Sequence, residues 1–203
     1  MAGSGRKRRA RQQRLRRISL MTTAAVLALA LLGLVVWLVF ARAPGFIMRR
    51  YPMDYEATVR QYATEYTLEP AYVAGVILAE SDFDAQAVSS ANAQGLMQLL
   101  PATAEWIAGK LDETYVEGCL FDPETNIRYG CWYLGFLMRR YGGDKRCASS
   151  AYHQGQGTVD KWLQNPEYAT DGQLTVIPSN ATNTYVQRVL KYYEKYRKLY
   201  ADT

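Results

Sequence analysis

The stretch Pro70–Trp106, PAYVAGVILAESDFDAQAVSSANAQGLMQLLPATAEW, constrains the fold more than any other part of the chain. Pro70 suits the first turn of a helix, where its missing N–H has no bond to lose. Val73, Val76, Ile77 and Glu80 follow at i, i+3, i+4 and i+7, the spacing of one helical face. The three apolar residues predict a core contact. Glu80 continues the same stripe as a carboxylate, which is costly in a buried position unless it is paired, protonated or at the mouth of a cleft. The alternative is a helix that ends at Glu80 with the side chain in water.

Ser81 follows Glu80 directly. Then come Ala87-Val88-Ser89, Gly95-Leu96-Met97-Gln98 and Pro101-Ala102-Thr103-Ala104. Later the chain reads Ala151-Tyr152-His153-Gln154-Gly155-Gln156-Gly157, with Val159 and Trp162, and then Ile177-Pro178 with Thr182, Tyr185 and Val186. In order and spacing these elements resemble the lysozyme-like lytic transglycosylase domain of bacterial cell-wall enzymes, from about Tyr55 to Tyr200. The resemblance implies a mainly α, lysozyme-like helical domain that acts on peptidoglycan glycan strands. It implies Glu80 as the catalytic acid, with Ser81, Ser89, Met97, Gln98, Tyr152, His153 and Tyr185 as substrate-binding positions.

Charge separates this domain from what precedes it. Residues 1–50 hold 11 Lys and Arg and no acid, whereas the rest of the chain holds 13 basic against 19 acidic residues. An acidic folded part does not offer a basic face for nucleic acid. One histidine, His153, and three cysteines, Cys119, Cys131 and Cys147, without a Cys-x-x-Cys pair, do not make a zinc ligand set. No metal and no cofactor is expected. The cysteines allow at most one disulfide, or three small buried residues.

Ile18–Phe40 is a run of 23 residues without a charge, preceded by eight basic residues. At ~1.5 Å per residue it exceeds a hydrocarbon core of ~30 Å. The basic flank predicts an N-terminus inside and a C-terminus outside. A cleaved signal peptide is the rival, with Ala41-Arg42-Ala43 as the cleavage-like site, but the run is longer than the usual core of about 7–15 residues. The chain thus reads as a basic cytoplasmic segment at 1–17, a single transmembrane anchor at 18–41, a short tether at 42–54 and a catalytic domain at 55–203.

Within the domain, spacing predicts helices over Tyr55–Tyr66, from Pro70, from Leu96, around Thr103–Leu111, over Pro123–Tyr141 capped by Asp122, over Cys147–His153, over Thr158–Leu163 and over Thr182–Tyr200. Ser81–Gly95, Asp112–Asp122 and Gln164–Ser179 read as loops.

A carboxyl delivers a proton to a glycosidic oxygen near neutral pH only when its pKa is raised. Asp82 and Asp84 are the acids nearest Glu80 in sequence, and neither falls at a catalytic position of the family. The route implied is therefore cleavage between N-acetylmuramic acid and N-acetylglucosamine with a 1,6-anhydro product. His153 stands where the family has Asn, Gln154 where it has Ala, and Ala181 where it has Glu. One rival is a hydrolytic muramidase of the same fold; the His153 and Ala181 departures keep a second in play, a non-catalytic peptidoglycan-binding module.

Overall fold

A computed structural model describes residues 20–23, 26–39 and 49–200. Contacts divide the chain into two units between Arg50 and Tyr51. In the first unit, helix α1 (Leu20–Val39) is long and apolar enough, by length and composition, to cross a membrane. Residues 1–17 and the expected anchor ends Ile18, Ser19, Phe40 and Ala41 lie outside the described residues.

The second unit is helical: α2 (Glu56–Glu65), α3 (Pro70–Glu80), α4 (Pro101–Lys110), α5 (Pro123–Arg140), α6 (Lys145–Gln154), α7 (Gln156–Leu163) and α8 (Asn180–Leu199). At its centre is α3, which is not a one-sided amphipathic helix. Tyr72 to Leu78 are buried without interruption, as befits a helix surrounded by other elements. The closest of these is α8, which buries Tyr185, Val186, Val189, Tyr193 and Tyr196. Gly75 permits the approach, because a Cβ there would lie 2.9 Å from the Tyr193 backbone nitrogen.

Local chemistry sets several boundaries. Pro70, Pro101 and Pro123 each occupy a first helical turn. The Asp122 carboxylate accepts from Thr125 N at 2.8 Å and caps α5, an arrangement worth about 1 kcal/mol. Asp144 caps α6 through the amides of Arg146 and Cys147, so that helix begins at Lys145 rather than at Cys147.

Two expectations are corrected. No helix starts at Leu96. Gly95 and Gln98 both have positive φ, 72° and 47°, and Gln94 pairs with Val88 and with Leu99 in isolated bridges, so residues 94–99 form a tight reversal that no helix can traverse. The Gln164–Ser179 segment is not wholly loop. Ala169–Thr170 (β1) and Gln173–Leu174 (β2) pair antiparallel, too short a ladder to leave an alternating pattern.

Of the tether expected at 42–54, residues 42–48 lie outside the described residues, and Tyr51 and Pro52 are tied to α8. Tyr196 Oη donates to Pro52 O at 2.6 Å, Tyr200 Oη donates to Tyr51 O at 2.9 Å, and the Tyr51 ring meets Tyr196 edge-on. Cys119, Cys131 and Cys147 are free.

Two hydrophobic cores result. The larger surrounds α3 and takes in α2, α5, α6 and α8. The smaller gathers Leu99, Ala104, Ile107, Ala108, Leu120 and Tyr129 beneath α4. Tyr133 and Tyr152 pack against both, and the cleft lies where they bridge the two cores.

Candidate active site

Glu80 is the last residue of α3. The helix delivers it to a cavity of about 470 Å³ lined by Glu80, Ser89, Ala91, Ala93, Gln98, Leu99, Leu100, Thr103, Tyr133, Tyr152, His153, Gln154 and Gly155. Among these residues Glu80 is the one carboxylate. Its Oε1 accepts a 2.7 Å hydrogen bond from Tyr185 Oη. Burial pushes the carboxyl up to about 7, while the Tyr185 hydrogen bond and the Arg188 charge pull it back. The C-terminal end of a helix dipole acts in the same direction as burial, because it disfavours an anion. A carboxyl poised in this way gives and takes a proton at neutral pH.

Burial, with the negative charge of Glu80 behind it, keeps the hydroxyls of Tyr185 and Tyr152 well above their ordinary titration range. Both are neutral donors. Tyr185 is 3% exposed and sits behind Glu80 rather than in the cavity lining. Tyr152 donates to Met97 O at 2.8 Å and so pins the Gly95–Gln98 reversal to α6.

That reversal is held from several sides. Ser81 Oγ donates to Leu96 O at 2.7 Å. Asn126, fully buried on α5, accepts from Met97 N at 2.7 Å and donates to Gln94 O at 2.9 Å and Leu120 O at 2.8 Å. Gln98 Nε2 donates to Ala87 O and Gly95 O, each at 3.0 Å. Both amide hydrogens of Gln98 are thereby committed to the loop, so what this side chain offers a ligand is its Oε1. Ser89 Oγ accepts from Ala93 N at 3.0 Å and shapes the neighbouring turn.

His153 faces the cavity from α6. Its ring lies 4.7 Å from that of Tyr185, tilted by 32°. Its Nδ1 is 3.2 Å from Thr182 Oγ1, which in turn lies 2.9 Å from Gln154 Oε1. A threonine hydroxyl has one hydrogen. Donating it to Gln154, or to Ser179 Oγ at 3.0 Å, leaves the oxygen as acceptor, which selects the Nδ1–H tautomer of His153 and leaves Nε2 as an acceptor. Burial, and then the Arg188 charge, lower the His153 imidazole below its usual value.

Of the eight positions named from the sequence, five line the cavity: Glu80, Ser89, Gln98, Tyr152 and His153. Ser81, Met97 and Tyr185 do not. Ser81 is turned inward as a cap. Met97 is wholly buried against Gly130, where a Cβ would strike its thioether; only its backbone serves the site. Sequence reasoning missed Tyr133, Leu100, Thr103, Gln154, Asn126 and Thr182. The signal for Asn126 was present, a polar residue beside Ile127 on the buried side of α5.

A family model described as the transglycosylase SLT domain matches residues 57–174. The soluble lytic murein transglycosylase of Escherichia coli strain K12 is 32% identical over 157 residues, which cover 75% of this chain and 24% of that protein. The membrane-bound lytic murein transglycosylase C of Actinobacillus pleuropneumoniae serotype 5b is 33% identical over 170 residues, 70% of this chain and 46% of that protein. The crystal structure of the 70 kDa soluble lytic transglycosylase of Escherichia coli superposes with a TM-score of 0.71 at 30% identity, covering 77% of this chain and 26% of that one. The lytic transglycosylase Slt of Pseudomonas aeruginosa, solved as an inactive mutant, gives 0.69 at 31%, covering 79% and 26%. The mainly α, lysozyme-like fold expected from the sequence is the fold of these structures. On the family match and these relatives together, the chain belongs to the transglycosylase SLT domain family.

Proposed function

We propose that this protein is a membrane-anchored lytic transglycosylase of peptidoglycan. It cleaves the β-1,4 bond between N-acetylmuramic acid and N-acetylglucosamine and leaves a 1,6-anhydro end. The observation that carries this reading is Glu80, the one carboxylate among the residues lining the cavity, held at about 7 by burial. Hydrolysis by the usual retaining or inverting routes uses a second carboxyl in the site. Asp82 and Asp84 are both exposed, and neither lines the cavity.

With one acid the reaction runs in two steps. Protonated Glu80 gives its hydrogen to the bridging oxygen as the C1–O4 bond breaks, and the substrate's own acetamido oxygen bonds to C1. The 6-hydroxyl then attacks C1, displaces the acetamido oxygen and returns its hydrogen to the Glu80 carboxylate. No water is consumed, and Glu80 ends as it began. Tyr185 stabilises the carboxylate between the two steps through its 2.7 Å hydrogen bond. Ser89, Gln98, Tyr152 and His153 contact the sugars.

Helix α1 serves as the anchor, with its basic flank on the cytoplasmic side and the domain outside. The name of the membrane-bound relative agrees with this assignment. Mass spectrometry of glycan digested by the full chain in detergent tests the chemistry. Muropeptides one water lighter than the muramidase product support the lyase. Reducing ends alone would make it a hydrolase, and bound but intact wall would make it a binding module.

A further inference from the structure

A second cavity, of about 320 Å³, opens beside the first and is lined by Ala102, Thr103, Trp106, Tyr133 and Gln156. Thr103 and Tyr133 line both cavities, so the two are stretches of one groove. Trp106, on α4, is 37% exposed, yet it is not loose. Its ring meets Trp132, Tyr133 and Phe136 of α5 edge-to-face at centroid distances of 5.3, 6.1 and 5.5 Å. Lys110 Nζ stands 6.0 Å from its centroid. An exposed indole held rigid from α5 in a groove wall is a platform that loses little entropy when something settles on it.

We infer that this part of the groove holds a further N-acetylated sugar ring of the same glycan strand, stacked on Trp106. The inference rests on the reading of the first cavity as a glycan site. A strand is a linear polymer, so sugars beyond the cleaved bond must leave the first cavity along its walls, and Thr103 and Tyr133 continue into the second. The C–H face of a pyranose is weakly positive and matches the negative face of an indole. Gln156 supplies an amide at the rim, with donors and an acceptor for hydroxyl or acetamido groups.

The test measures binding of N-acetylglucosamine oligomers, dimer to hexamer, to the full chain in detergent carrying Glu80→Gln to prevent turnover. Affinity is expected to rise with oligomer length. Adding Trp106→Ala should remove about tenfold of that rise and leave dimer binding unchanged, while Trp106→Phe keeps most of it. Trp106→Leu, which keeps apolar bulk against Trp132 but no π face, carries the same expectation as Trp106→Ala and guards against misfolding. A length dependence identical with and without the indole overturns the subsite while leaving the reading of the first cavity intact. No binding of any oligomer overturns both.

Discussion

Tyr185 Oη donates to Glu80 Oε1 at 2.7 Å across 105 residues of sequence. Packing of α3 on α8 places the two groups together, and burial makes the bond matter twice. It moderates the desolvation that raises the Glu80 carboxyl, and the carboxylate keeps the phenol from ionising. The proposed general acid and the phenol that tunes its carboxyl are thus held together by one helix pair.

Wall lysis should fall as pH rises through about 7, where Glu80 loses its proton. Removing the phenol removes a bond that favours the carboxylate, so Tyr185→Phe should move this alkaline limb upward by about one pH unit. Rate profiles of the two proteins between about pH 5 and pH 9 check the direction. A limb unmoved by the substitution would detach Tyr185 from the acid.

Glu80→Gln should abolish lysis, since an amide keeps the shape but has no proton to give. It should also change stability with a definite sign. The folded value of about 7 lies above the ordinary 4.5, so the stability linked to Glu80 is fully present below 4.5 and lost as pH rises through 7. The amide escapes that loss. Relative to wild type the variant should gain with pH, up to about 3 kcal/mol near pH 8 and nothing near pH 4. Denaturant midpoints at the two pH values measure it.

Much of this was legible in the sequence because it is written locally. The Val73/Val76/Ile77 stripe carried Glu80 to the end of a buried helix, and Asp122-Pro123 announced α5. What was not legible depends on contacts distant in sequence. Ser81 looks like a ligand-facing polar residue, yet it bonds Leu96 O, and Gln98, which does line the cavity, spends its amide hydrogens on Ala87 O and Gly95 O. Met97 sits in a motif rich in site residues, but the gap left by Gly130 draws it into the core. Tyr133 could not be singled out among the tyrosines, because only the meeting of two cores gives it a place in the wall.

His153 should leave its mark on the acid side. Burial and Arg188 lower its value below the ordinary 6.5. Stability linked to it is therefore present above 6.5 and lost as pH falls from there toward the folded value. His153→Asn should remove this loss, so the stability difference between variant and wild type grows from pH 7 to pH 5. Lysis by the variant should also lack the acid-side change that a protonated ring beside the cavity imposes. Superimposable pH profiles would reduce His153 to a packing role.

Two glycines give opposite signs for one substitution. Gly75 and Gly109 both lie in helices, α3 and α4, where alanine is intrinsically favoured by about 1 kcal/mol. Gly109 has nothing within 4 Å of a Cβ, so Gly109→Ala should stabilise by about 0.5–1 kcal/mol. At Gly75 the new methyl would meet backbone: Tyr193 N at 2.9 Å, and Tyr193 Cα and Val189 O at 3.3 Å. No side-chain rotation relieves that, so α3 and α8 must part by tenths of an ångström. Gly75→Ala should destabilise by about 1–3 kcal/mol. It should also depress lysis more than stability alone explains, because the same pair of helices sets the distance between Glu80 and Tyr185. Urea midpoints for the two variants in detergent, with lysis rates below the transition, test both halves; a Gly75→Ala protein as stable and as active as wild type would show that the helix contact does not govern the site.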